Sequence, residues 1–244
     1  MTYKKSEYQW ATDYILEYSP QINTIAEIGS RDGVDTIFLS ELFQTKNNYI
    51  FEADPNLIDG INKNLKNHDY KSNYEVFNIA LGNENKEVDF LSVDKEKYNN
   101  LGVGSLFEIN FHNREKSDPD FNRESVQKKV QVELKKYSSL KLETPDLIAM
   151  DVQGAELDVL KGFENLLKKV KFIISESSIS ENYIGGSTFL EMHKYLKNNF
   201  KLLINSRYGK NNFKLNVDAY KYKLSEKKMY QPDFNVLYIN KNLV

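Results

Sequence analysis

The sequence predicts an α/β fold: a mostly parallel central sheet with helices on both faces and an antiparallel closing strand. Three observations predict it. Short apolar runs alternate with amphipathic helical segments through the first eighty residues, the pattern of strands joined by crossover helices. The alternation resumes near residue 146 after a polar interruption. Two apolar runs, "FKLLINS" and "FNVLYIN", close the chain. A chain of 244 residues holds one such domain with a sizeable core and one inserted cap.

In order, Ser6 and Gln9 have capping-box spacing, and Ala11, Tyr14, Ile15 and Tyr18 then share one helical face. Residues 1–20 are thus read as an N-terminal helix ended by Pro20. Residues 24–29 form a short buried strand, and residues 34–43 a helix with Ile37, Phe38 and Leu42 inward. "NYIFEADP" supplies a second strand over 49–53; Asp54 then caps a helix with Pro55 at its first position. "YEVFNIALG" is a third strand ending near Ala80. "KEVDFLSV" and "KKVQVELKKY" alternate as antiparallel strands do, and the polar residues 94–127 between them, with Gly102, Gly104 and "SDPD", read as an inserted loop or cap.

"DLIAMDVQG" is a strand ending near Val152, and "AELDVLKGFENLL" a helix burying Leu157, Leu160 and Leu167. "VKFIISES" is the next strand. Thr188 and Glu191 form a second capping box before a helix reaching about Asn198. An insertion over 207–232 precedes the last strand and carries Tyr208, Phe213, Tyr220, Tyr222 and Tyr230. These aromatics either stack on a sugar ring or pack over the sheet edge or against a second copy of the chain, a homo-oligomer.

Composition narrows the chemistry. A net charge of −2 gives no overall basic field to recruit phosphate backbones, so no nucleic-acid partner is expected. Pairs such as Lys128-Lys129 and Lys227-Lys228 read as solvated faces. The absence of cysteine excludes disulfides, zinc–thiolate sites and iron–sulfur clusters. His68, His112 and His193 lie far apart without metal-ligand spacing; His112 and His193 are read as exposed. No apolar run is long enough for a transmembrane segment, and Met1 to Lys5 lead into no signal-peptide core. A cytoplasmic location is expected.

The turn after the first strand, "EIGSRDG", raises the functional question. Ligands of open parallel sheets sit outside the carboxyl ends of the strands, where Glu27, Gly29, Ser30, Arg31, Asp32 and Gly33 fall. Glycines let that backbone bend and approach a ligand, although a plain strand-to-helix turn favours them too. Glu52 ends the second strand about twenty residues on, where an acid accepts hydrogen bonds from a ribose diol. Two acids, Glu27 and Asp32, disfavour a pyrophosphate and suit a ligand bearing a sulfonium and an ammonium group. S-adenosyl-L-methionine carries both. Arg31 either holds its carboxylate or pairs with Asp35.

"DVQGAELDVLKG", residues 151–162, is the strongest local motif. Asp151 ends a core strand at the ligand edge, Gly154 turns the chain, and Glu156 lies in the first helical turn, where an acid also complements the helix dipole. With "AEIGSRDG", "IFEADP" and "NIALGN", this block resembles the successive motifs of the FkbM-type methyltransferases over roughly residues 24–200. The family is S-adenosylmethionine-dependent, with the Rossmann-like class I methyltransferase fold. The resemblance implies methyl transfer, usually to a hydroxyl oxygen of a sugar, glycan or polyketide-like acceptor, that is, a small molecule or a glycan. It places Glu27, Gly29 and Gly33 at the methionine part of the cofactor, Glu52 at the ribose, Asn78 and Ala80 near adenine, and Gly104 and Ser105, from "GVGSL", at the cofactor's border. The chain departs from the family pattern at Gln153, where members usually have Glu, and in "IGSRDG", where "VGAN-G" is frequent.

A sulfonium methyl is already activated, so the enzyme must chiefly align an oxygen with it and remove the hydroxyl proton. Asp151 is the expected base or metal-assisted orienter, with Glu156 and Glu176, at the end of "KFIISES", as the other catalytic candidates. A divalent metal, held by Asp151 and another acid, is the one other cofactor left open. Two further readings stand beside this one: an NAD-dependent sugar-nucleotide oxidoreductase, against which the G-x-x-x-G spacing speaks, and a non-catalytic binding module on the same fold.

Overall fold

The computed structural model describes residues 8–93, 101–110, 127–204 and 234–244. The chain begins with α1 (Gln9–Glu17) and then alternates: β1 (Thr24–Ile28), α2 (Val34–Phe43), β2 (Asn47–Phe51), α3 (Ile58–Lys66), β3 (Asn73–Phe77). Three further strands follow, β4 (Ala80–Leu81), β5 (Lys86–Val93) and β6 (Gln127–Lys135). Alternation returns with β7 (Leu147–Met150), α4 (Glu156–Gly162), β8 (Phe172–Ser177), α5 (Phe189–Leu196), β9 (Phe200–Ile204) and β10 (Phe234–Asn240).

Seven strands form the main sheet in the order β3-β2-β1-β7-β8-β10-β9. Pairings are parallel from β3 across to β8; β10 runs antiparallel to both β8 and β9. The chain thus starts at the sheet's centre, walks outward to β3, and returns to continue on the other side of β1. That reversal opens a crevice between β1 and β7 at their carboxyl ends.

Both faces are covered, as the strands' unbroken apolar runs require. Every residue of β1, β7 and β10 is buried. Side chains alternate between two cores. Ile25, Leu147, Ala149 and Ile174 pack with Ile15 of α1 and Leu39 of α2. Ala26, Ile28, Ile148 and Met150 pack on the opposite face with Leu160 of α4 and Met192 of α5.

A second sheet, β4-β6-β5, stands beside the first. The two alternating segments of the sequence pair antiparallel in it, from Lys86 opposite Leu134 to Val93 opposite Gln127. Of the inserted segment, residues 101–110 fold back onto this sheet: Ser105 bridges Leu91, and Ile109 bridges Tyr183.

Several boundaries differ from the sequence reading. The third strand is two. β3 ends at Phe77, the Asn78 side chain donates to the carbonyls of Glu52 and Ala53 at 2.9 and 3.1 Å, and Ala80–Leu81 crosses to β6. Asp54 caps a turn, accepting the Asn56 N–H at 2.9 Å, and α3 starts only at Ile58. The helix after "DVQG" stops at Gly162 and continues as a 3-10 helix over Glu164–Lys169, leaving Leu157 half-buried. α2 buries Leu39 in place of Leu42, and α1 buries Thr12 while Tyr18 is 38% exposed. His193 is half-buried, stacked between Phe189 and Tyr238. The second capping box is present, with Thr188 and Glu191 in reciprocal contact. Ser6, His112 and the aromatics of 207–232 lie outside the described residues.

Candidate functional site

The carboxyl ends of β1, β2 and β7 line a cleft that opens to solvent. The turn after β1 forms its floor. Gly29 has φ +79°, and a Cβ there would sit 2.0 Å from the Asp151 carbonyl oxygen. Only glycine allows this approach of two strand ends. The Gly29 N–H donates to the Phe51 carbonyl at 2.9 Å, and the Gly33 N–H closes back to the Ser30 carbonyl at 3.3 Å. Gly33, at φ +76°, then starts α2.

Glu52 ties two loops together. One carboxylate oxygen accepts the Arg31 N–H and the other the Asp54 N–H, both at 2.8 Å. Burial raises its pKa, while these backbone donors oppose the rise. Each oxygen keeps a second acceptor position. Glu27 turns under the glycine loop, where one oxygen accepts the hydroxyls of Ser30, at 2.7 Å, and Thr36. Burial, reinforced by the charge of Asp35, pushes Glu27 up to about 8.

The lining is mixed: Ile79, Ala80, Leu81, Phe90 and Leu106 are apolar, and Glu27, Asp35 and Asp151 are acidic, with Tyr8 beside them. The sheet order β3-β2-β1-β7 sets the end of β3 and Ala80 at one end of the row, then Glu52, Glu27 and Asp151. The cleft therefore offers an apolar slot, a diol-sized acceptor at Glu52 and an anionic end. Of the candidate residues, it brings together Glu27, Gly29, Ser30, Arg31, Glu52, Ala80, Gly104 and Asp151. Asp32 lies outside, accepting the Val34 N–H at 3.1 Å and facing the Arg31 guanidinium at 3.6 Å. Gly33 and Asn78 sit behind the lining and shape it. Ser105 is also behind it: its buried hydroxyl donates to the Gln153 carbonyl at 2.7 Å and accepts the Phe107 N–H at 3.0 Å.

Glu156 and Glu176 line a smaller adjoining hollow with Gly154, Ser177, Ser178, Tyr183 and Ser187. Glu156 is buried, receives the Gly154 N–H at 3.1 Å and is pushed up to about 7 by burial. Gln153 lines both hollows and forms the wall between them. Among the described residues no group of three or more His, Asp or Glu is placed to hold a metal ion. Nor is any helix among them long and apolar enough to cross a membrane.

Sequence reasoning missed Tyr8 and Asp35 as lining groups and Gln153 as the shared wall. Asp35 had a signal, its place in the first turn after the glycine loop. Tyr8 had none, because only the tertiary fold brings the start of α1 over the cleft.

The sheet order, the reversed β10 and the cleft position define a Rossmann-like class I methyltransferase fold. Solved structures share it: a methyltransferase FkbM from Methylobacillus flagellatus (TM-score 0.53, 12% identity, 90% of this chain and 44% of that one). An rRNA methylase from Streptococcus thermophilus is similar at TM-score 0.51 and 11% identity, covering 98% and 99% of the two chains. The model of the methyltransferase FkbM domain matches residues 27–203, and the chain belongs to that family. It is also 29% identical over 167 residues to the 2-O-methyltransferase NoeI of Sinorhizobium fredii, an alignment covering 66% of this chain and 65% of that protein. The chain thus spans just under two thirds of this curated relative's length.

Proposed function

We propose that the protein is an S-adenosylmethionine-dependent O-methyltransferase acting on a hydroxyl of a sugar or glycan. The observation that carries the cofactor is the graded cleft: apolar slot, Glu52 in the middle, Glu27, Asp35 and Asp151 at the far end. An adenine fits the first, a ribose diol the second, and a sulfonium with an ammonium group the third. Gly29, which leaves no room for a Cβ, holds the floor in that shape. Two phosphates would meet carboxylates at the same end, which argues against a dinucleotide. Family membership supports methyl transfer, and the name of the Sinorhizobium relative, a 2-O-methyltransferase, supports a hydroxyl acceptor.

When bound, S-adenosylmethionine supplies a methyl group already activated by a cationic sulfur. The chain's residues do the rest. Glu52 fixes the ribose, and Glu27 and Asp35 favour the cationic end. The polar hollow beside Gln153 holds the acceptor, with the hydroxyls of Ser177, Ser178, Tyr183 and Ser187 at hand for a polyol. Asp151 is the residue that would take the proton of the acceptor hydroxyl to which the cofactor would supply its methyl group. Alignment supplies most of the acceleration, and proton removal about 10²–10⁴-fold.

Calorimetry with S-adenosylmethionine and with NAD tests the cofactor: binding of NAD alone would overturn the reading. Asp151→Ala is expected to retain S-adenosylmethionine binding and to lose transfer onto a panel of sugars, followed by mass spectrometry. Full activity in that variant would remove Asp151 from the mechanism.

A further inference from the structure

Gln153 stands two positions beyond Asp151, in the turn between β7 and α4, and lines both hollows. Its side chain makes three contacts. Nε2 lies 2.5 Å from Asp151 Oδ1 and 3.0 Å from Glu176 Oε2, while Oε1 accepts the Tyr183 hydroxyl at 2.5 Å. An amide nitrogen carries two protons and no lone pair to offer, so it serves two carboxylates at once. Its backbone sits in the left-handed region, at φ 52°. That conformation is unfavourable for a side chain of this kind. It is held by Gly154 beyond it and by the Ser105 hydroxyl on its carbonyl.

We propose that Gln153 is a positioning residue that holds Asp151 and Glu176 ionised side by side, one facing each hollow. This rests on the methyl-transfer reading, in which Asp151 accepts the proton. Tyr8 before α1, Glu27 of β1, Asp35 of α2 and Glu52 of β2 all line the cleft with Asp151, and Arg31 is the one cation among its described lining residues. Glu176 approaches from β8 through the shared amide, with Glu156 of α4 and Tyr183 lining the hollow behind it. Carboxylates in such company hold their protons more tightly unless a donor favours the charged form. A glutamate at 153 would add a third negative charge; glutamine supplies two donor hydrogens and none.

The test reads Asp151 directly. Protein labelled with ¹³C at aspartate carboxyl carbons is titrated by NMR, the Asp151 resonance being assigned with Asp151→Asn. Gln153→Leu removes the donor, and Gln153→Glu replaces it with a charge. In both, the Asp151 midpoint is expected to rise by about one pH unit or more, a tenfold gain in proton affinity, more in Gln153→Glu. The acid limb of the methyl-transfer pH profile is expected to move the same way. An unmoved Asp151 midpoint in variants with native circular dichroism would overturn the proposal. So would loss of the fold in both, since Gln153 would then be a structural brace. Failure of the underlying reading appears separately, as wild-type protein that does not bind S-adenosylmethionine.

Discussion

Glu27 shows how a single carboxyl carries more than one task. It is buried under the glycine loop, bonded to Ser30 and Thr36, and raised from the usual carboxylate range to about 8. Because the folded value is raised, its contribution to stability is fully present below about 4.5 and is lost as pH rises through about 8. A cationic ligand reverses the preference and favours the ionised form. S-adenosylmethionine affinity is therefore expected to rise with pH between 6 and 8, by up to about tenfold per unit. Binding near pH 6 should release close to one proton, measured by calorimetry in two buffers of different ionisation enthalpy. Glu27→Gln should flatten the dependence; a wild-type affinity independent of pH would refute this role. Glu27, Gly29 and Glu52 were legible because each ends or follows a buried strand in local sequence. Tyr8 was not legible, since its place above Asp151 and Asp35 exists only once α1 has docked. Asp32 misled for a related reason: sequence shows proximity to the loop, but its carboxylate caps Val34 outside the cleft.

At the scale of elements, periodicity located the strands and capping chemistry misplaced one helix. Asp54 followed by Pro55 has the look of a helix start, yet the Asp54 side chain is drawn to the Asn56 N–H and the Ser92 hydroxyl, and α3 begins later. The split of the third strand was hidden because "YEVFNIALG" is apolar throughout. What breaks it is Asn78, bonded across to the end of β2, a contact with no local signature. α3 also carries a weak point of its own. Gly60 lies exposed inside the helix, without positive φ and with nothing within 4 Å of a built Cβ. Glycine there costs backbone entropy without conformational need. Gly60→Ala is expected to stabilise the protein by about 0.5–1 kcal/mol, read as a higher urea midpoint at unchanged slope. A lower midpoint would mean that α3 does not hold this helical geometry.

For the whole molecule, sequence alternation implied a parallel sheet with a reversed closing strand, but it could not show that β4, β5 and β6 form a separate sheet. That sheet supplies part of the cleft, since Ala80, Leu81 and Phe90 line its apolar wall. It is seated against α4 at a point where two backbones touch. A Cβ on Gly162 would lie 1.9 Å from the Gly82 carbonyl oxygen and 3.5 Å from the Lys136 Cα. Backbone atoms cannot swing aside as a flexible side chain can, so even one methyl group must push the second sheet away from α4. The nearby polar ties, Asn83 to Asp158 at 3.0 Å and Lys136 to Glu164 at 2.9 Å, are exposed or half-buried and too weak to resist. Gly162→Ala is therefore expected to cost about 1–3 kcal/mol, lowering the thermal midpoint by several degrees. It should also weaken S-adenosylmethionine binding, although residue 162 does not line the cleft, because the wall facing the adenine moves with the sheet. Calorimetry and thermal unfolding of the same preparation separate the two effects. A variant that loses stability but binds as wild type would show that the apolar wall is held by the main sheet alone.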